Sequence, residues 1–524
     1  MSVQEPTRQV TITEAVARKS IASSERNKIC EDWVATCTAL NIPLSKSDHP
    51  AMRKFLFENV TNGGAIPGFH QLQEKYLGNV YLKEKEALRK RLAKKPIAVI
   101  FDETPDVEGR CVLNILIAPL EKDESGRILA YLADTVFLEQ CNHSTVSVSV
   151  VKCLQEYDIA NEDVIVFDTD NAAYMKKAYT AALQSLFPNS LHVTCMAHIM
   201  NLIGDAFRRP FDQLNSFMLS FSQMFYHAGS RKSRYLQFMS GKHPTRQKAT
   251  MAPNPCATRW NSWFKAVQYH SEHFKLYKEF IEMEIKVSGS SAPQSVERLH
   301  EMLQNEDMAQ CLQMNFTANK ELQYESCAEH FEGLDVHHAT KTHILNLVHL
   351  AYSNAEEKLT KYMSEGQPAI NFLREVRVFD PRYISFMENS VSGYTHIPGF
   401  SAVPNDEFDA YFQRLGPAAL KASACGVVDL DVFWDGLLER RPVLSALAKR
   451  YKDVIVNSAD AERSNSLYKL VLSSRRRSIT NSNLKALVFL YHNQRLTSGV
   501  FERDELEIDC GPDSEDEVED SLDT

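Results

Sequence analysis

Apolar and polar positions change rhythm several times along the chain. Between residues 26 and 95, Ile29, Trp33 and Val34 are followed by Cys37, Leu40 and Ile42, at the three- and four-residue steps of an amphipathic helix. Pro43 ends that segment. Ser47-Asp48-His49-Pro50 starts another, with Asp48 or Ser47 as its cap and Pro50 near its first turn. Asn62-Gly63-Gly64 is a break, and 71–95 reads as a helix that becomes strongly basic from Lys83 to Lys95. From 96 to 198 short apolar runs replace the helical period. Residues 96–101, 112–120, 128–138, 164–167 and 191–194 read as strands, with helices at about 144–157 and 172–187. The expected order is βββαβαβ, an α/β core. Residues 199–440 are helical in period, and that pattern resumes over 443–491. The first 25 residues read as a flexible polar leader.

Composition narrows the class without naming a function. Of 524 residues, 44% are apolar and 24% charged, as in ordinary globular proteins, which excludes a collagen-like or mainly disordered chain. No apolar run reaches the length of a membrane span, so none is expected. Eleven cysteines include no Cys-x-x-Cys pair, which argues against a disulfide framework and a ribbon-type zinc site and for a reducing, intracellular compartment. The net charge of −10 resides in the tail: Asp504 to Thr524 holds eleven acidic residues and no Lys or Arg, and without it the body stands at +1. Such a tail reads as disordered. It can aid solubility or compete with DNA for basic surfaces; Ser514, followed by three acidic residues, is a candidate phosphorylation site.

Two aspartates carry the candidate chemistry. Asp102 and Asp170 fall at or just after the ends of predicted strands, where open α/β sheets place their ligand crevice. Hard divalent cations take oxygen donors, and phosphodiester chemistry often uses two such ions. A third carboxylate from a later helix would complete the set. Asp168 competes with Asp170 for the role, and a strand-end Asp can also simply cap the following helix. Glu103 and Asp106 add local negative charge and read as solvated.

Several ordered motifs resemble those of hAT-superfamily transposases. They are Phe101-Asp102-Glu103-Thr104, Asp168-Thr169-Asp170-Asn171-Ala172, Cys195-Met196-Ala197-His198, Thr258-Arg259-Trp260-Asn261 and Ala461-Glu462-Arg463-Ser464, with Asn483-Leu484-Lys485-Ala486-Leu487 after it. The resemblance implies an RNase H-like core at 96–198 and 441–503, interrupted by a helical insertion at 199–440. A helical N-terminal region at 26–95, for DNA binding or oligomerisation, would precede it, and the 504–524 tail would follow. It implies that Asp102, Asp170 and Glu462 are catalytic and hold Mg²⁺ or Mn²⁺ for DNA cleavage and strand transfer. It also implies that Arg259 and Trp260 lie by the transposon end, that His198 touches DNA phosphate, that the chain self-associates and that it works in the nucleus.

Asn41-Ile42-Pro43-Leu44, Asp48-His49-Pro50 and 62–67 are similar to the C-terminal half of the CGG triplet repeat-binding family. There a BED-type zinc finger precedes this segment; here no Cys-x-x-Cys exists, so a finger-bearing partner is one expected associate. Asn465 stands where hAT proteins usually carry Phe. Cys195 and His198, with Cys327 and His330, could be two halves of a zinc site, but such pairs arise easily by chance, and the reading is against zinc, with Cys195 as buried packing. The basic runs at Lys83–Lys95, Arg231–Lys248 and Arg475–Arg477 are phosphate contacts or solvated helix faces. Leu467, Leu470, Leu472, Leu484, Leu487 and Phe489 supply core or a dimer face. Two functional readings follow: a metal-dependent transposase, or a domesticated, catalytically silent nuclear DNA- or chromatin-binding protein.

Overall fold

A computed structural model describes residues 12–242, 249–255, 262–289, 292–321, 338–423, 428–472 and 479–498, with the side chains of 12–22, 317, 320, 321 and 498 left out. Arg259, Trp260, Cys327, His330, Arg475–Arg477 and the acidic tail lie outside the described residues. The chain forms two compact units, residues 1–195 with 368–524 and residues 196–367.

The first unit is built on a mixed sheet of β1 (Ile97–Pro105), β2 (Cys111–Pro119), β3 (Tyr131–Leu138), β4 (Val164–Thr169) and β5 (Leu191–Thr194), in the order β3-β2-β1-β4-β5. β1, β2 and β3 form an antiparallel meander, and β4 and β5 continue it in parallel with β1. The strands read as apolar runs because both faces are covered. Val99, Phe101, Leu113, Ile115 and Phe167 join the N-terminal helices and the helix His143–Glu156 in one core. Ala98, Ile100, Leu116, Val166 and Val193 join Phe379, Tyr411, Trp434 and Tyr468 in the other. The latter group shows that residues 368–440, expected in the insertion, pack on the sheet, while the second unit ends at Gln367.

Several local expectations are corrected. The leader is not wholly flexible: a helix spans Ile12–Ala39, and its sequence holds neither Pro nor Gly. The helix Pro50–Asn59 has Pro50 in its first turn, but His49 is its cap, accepting from Ala51 N–H at 3.2 Å. Asp48 is engaged instead by Arg53 at 2.8 Å and by Phe69 N–H at 3.2 Å, and Ser47 by the Trp33 indole at 2.8 Å. At the expected break, Asn62 has a φ of 60°, and a Cβ on Gly63 would lie 1.9 Å from the Leu56 carbonyl oxygen, so only glycine fits.

β3 is an edge strand, and the helix Asn481–Ser498 covers it. Asn493 accepts from Leu132 N–H at 2.9 Å and donates to Leu132 C=O at 2.9 Å. One side chain thus takes the place of a missing neighbouring strand, a protection that exposed edges need. The buried leucines of the C-terminal segment (Leu467, Leu472 and Leu484) and Phe489 are core of this unit, whereas Leu470 is exposed.

The second unit is helical, from Met196–Arg208 to His338–Tyr362. Phe217, Phe221, Tyr235, Tyr277 and Phe280 fill its centre. Glu284 is fully buried and bonded by Arg231 at 3.0 Å and Arg234 at 2.6 Å. Burial pushes this carboxyl up, but the two guanidiniums prevail and hold it below the usual range.

Candidate active site at the carboxyl end of the sheet

The parallel ladder between β1 and β4 ends at Ile100 opposite Asp168. Asp102 and Asp170 each stand two residues further along. Strands in a sheet run about 4.8 Å apart, so this register carries the two carboxylates to neighbouring places. Asp102 does not end its strand: β1 continues to Pro105 because β2 still pairs with it, Asp102 opposite Asn114. Its residue is 6% exposed. Asp170 is half-buried in the loop after β4 and accepts from Ala172 N–H at 3.0 Å, a turn that leads into the helix Ala173–Ala178. Asp168 lies inside β4, fully buried between Ile100 and Val193. Position along the ladder therefore favours Asp170 as the partner of Asp102.

The third carboxylate comes from the helix Ala459–Val471, where Glu462 is half-buried in the first turn. Hydrogen bonds fasten this helix to the sheet. Ser458 N–H donates to the Cys195 sulfur at 3.1 Å, while Cys195 N–H donates to Thr169 C=O at 2.7 Å. Asn465 Nδ2 donates to Asp102 Oδ2 at 3.1 Å, and the Tyr468 hydroxyl donates to Asp106 at 3.0 Å. Glu462 and Asn465 are three residues apart, hence neighbours on one helix face. The buried thiol of Cys195 is packing, as expected.

Asp106 is not solvated. Asp106 is buried at the turn between β1 and β2, bonded by Glu108 N–H and Arg110 N–H, both at 2.9 Å, and by the Arg110 guanidinium at 2.7 Å. Burial raises its pKa, but these donors and Tyr468 together leave it below the ordinary carboxylate value. Glu103 is half-buried.

A row of polar side chains leads to Asp102 from the far edge of the sheet. Thr135, Asn114 and Asp102 are register partners on β3, β2 and β1. The Thr135 hydroxyl donates to Asn114 Oδ1 at 2.8 Å, Asn114 Nδ2 donates to Asn465 Oδ1 at 2.8 Å, and Asn465 donates to Asp102. Sequence reasoning missed this row. Asn114 carries its signal, as the one amide in the otherwise apolar strand Cys111–Pro119.

Carboxylate oxygens are the donors a hard divalent cation takes. Among the described residues, no three His, Cys, Asp or Glu side chains are gathered into a ready-made metal cage. Magnesium is commonly held by one or two carboxylates with substrate phosphate completing its shell. Asp102 and Asp170 are of the donor type that such a cation, shared with a phosphodiester, would take. His198 is half-buried in the first turn of Met196–Arg208, in the other unit.

Much of the basic sequence is engaged within the chain. Lys83 pairs with Glu31, Lys85 with Glu156, Arg89 with Asp158, and Lys95 with Glu121 at 2.6 Å. Arg231 and Arg234 serve Glu284, and Lys242 pairs with Glu279 at 2.7 Å.

Fold and site define a helix-covered mixed sheet with acidic residues where its parallel strands end. The model of the hAT family C-terminal dimerisation region matches residues 417–494, and that of the CGGBP1 helical domain matches residues 20–79. CGG triplet repeat-binding protein 1 from Homo sapiens and its counterpart from Mus musculus are each 41% identical over 81 residues, 16% of this chain and 48% of theirs. The chain spans about half the length of the curated relatives it matches. Both resemblances read from the motifs are therefore found again at the two ends of the chain. Among the described residues, no helix is long and apolar enough to cross a membrane.

Proposed function

We propose that this is a nuclear, DNA-binding and self-associating protein of transposase descent that cleaves and rejoins DNA at Asp102, Asp170 and Glu462. What carries the reading is the fastening of the Glu462 helix to Asp102 through Asn465 at 3.1 Å. It joins the third carboxylate's helix to the sheet end that bears the first two. The antiparallel meander continued by two parallel strands supports an RNase H-like core. A divalent cation held there would activate a water or 3′-hydroxyl and stabilise the leaving oxygen. The chain's own part is to orient the carboxylates and exclude bulk water, with Asp102 and Asp168 already buried. DNA binding is inferred from the printed function of the CGG triplet repeat-binding relatives, and self-association from the dimerisation-region match. A finger-bearing partner would supply target choice.

The domesticated binder is the second reading. It is favoured by the similarity of the N-terminal segment to the CGG triplet repeat-binding relatives, whose printed name is that of a binding protein. Incubating the full chain with supercoiled plasmid and Mn²⁺ separates the two. Nicking by the wild type that Asp102→Asn abolishes supports the enzyme; retarded but uncut DNA with both proteins leaves only the binder.

A further inference from the structure

We propose that Asn465 is a positioning residue, and that the row from Thr135 through Asn114 sets the orientation of the Asp102 carboxylate. The inference rests on the reading of Asp102 as a cation-binding group. An ionised carboxylate only accepts hydrogen bonds, so Asn465 must present its NH₂ to Asp102. Its carbonyl oxygen then faces Asn114, which must present NH₂ in turn and so turns its own oxygen to the Thr135 hydroxyl. The observed bonds, at 3.1, 2.8 and 2.8 Å, run in that sequence. Asn465 cannot flip without breaking both of its bonds, and a flipped Asn114 would lose its bond to Asn465.

The row is dry and fixed at both ends. Asn114 is 0%, Thr135 1% and Asn465 4% exposed, and buried polar chains of this kind hold their members in one arrangement. Thr135, Asn114 and Asp102 cannot slide relative to one another, because each is a register partner of the next. An apolar side chain at 465 could not donate. The amide therefore gives Asp102 a fixed orientation that an apolar residue would leave to the cation.

The test is Mn²⁺ binding by the full chain, read from the electron paramagnetic resonance signal of free Mn²⁺, with urea unfolding run in parallel. Asp102→Asn defines the site. Asn465→Leu is expected to weaken Mn²⁺ binding about tenfold, and Thr135→Val, two side chains removed from Asp102, about threefold in the same direction. Tyr468→Phe loosens the same helix at Asp106 without touching the row, and its Mn²⁺ affinity is expected to match the wild type.

Wild-type affinity in both Asn465→Leu and Thr135→Val, with Asp102→Asn still defective, overturns the positioning role and leaves the cation reading standing. Equal weakening by Tyr468→Phe also overturns it, since helix attachment alone would then suffice. If Asn465→Leu does not fold, Thr135→Val decides. Mn²⁺ binding that is the same in wild type and Asp102→Asn defeats the cation reading itself, and the proposal with it.

Discussion

Replacing Asn493 tests whether the C-terminal helix stabilises the sheet by acting as a substitute strand. Its amide satisfies both the N–H and the C=O of Leu132, each at 2.9 Å, and Leu132 is completely buried. A buried backbone group left without a partner costs about 1–3 kcal/mol. With two such groups, and some relief from water entering at the edge, Asn493→Ala should lose about 2–4 kcal/mol. Asn493→Leu should lose nearly as much, because it restores volume but no hydrogen bond. Gln494→Ala, which removes a 3.1 Å bond to Thr38, should cost about 1 kcal/mol. Urea unfolding of the full chain, followed by far-UV circular dichroism at constant m-value, reads these differences. If Asn493→Leu is as stable as the wild type, the substitute-strand argument is wrong and the residue merely fills space.

Three further outcomes follow from the same structure. Burial drives His270 down to about 3 and, despite a hydrogen bond with Asn493, His492 to about 4. Both fold neutral while the unfolded chain takes up protons below about 6.5, so stability is complete above pH 6.5 and falls as pH drops towards 4; equal urea midpoints at pH 7.5 and 5 would contradict this. Glu284→Gln leaves Arg231 and Arg234 without their carboxylate and should cost about 3 kcal/mol, seen as faster proteolysis within 196–367; an unchanged cleavage rate would refute it. Deleting 417–498 removes Trp434, Tyr468 and Asn493 from the sheet unit, so the product should show hydrogen-exchange loss in β3, whereas full protection would mean that the segment is only an add-on.

The strands were legible because their burial on both faces makes near-continuous apolar runs, and β5 falls at residues 191–194 as expected. That Asp102 and Asp170 stand just beyond the pairing of the two parallel strands was legible from their place after such runs. The continuation of β1 to Pro105 was not, since Glu103-Thr104-Pro105 is extended by pairing with β2, which polarity does not reveal. The cap at His49 was hidden for a related reason: Asp48 had a better-placed use with Arg53. Residues 368–440 looked like more insertion because helical period says that a face is buried, but not against what. Their aromatic side chains, Phe379, Tyr411 and Trp434, are shared with sheet residues far away in sequence.

The C-terminal segment illustrates why a motif match and a structural role need separate arguments. The dimerisation-region model covers 417–494, and a leucine-rich helix there invites the view that its apolar side awaits a second copy. In this chain Leu484, Val488, Phe489 and Leu490 are instead buried. Tyr81 meets Phe489 edge-on at 5.0 Å, Thr38 reaches Gln494, and Lys485 pairs with Asp134 of β3. The N-terminal helices matched by the CGGBP1 model thus close over the helix that ends the hAT match. Self-association through 417–494 would then use side chains other than these buried ones, or else separate the two ends of the chain. The second route would uncover the β3 edge and break the Leu132–Asn493 bonds, at the cost already set out. An interface that leaves the helix seated is the one consistent with a stable sheet.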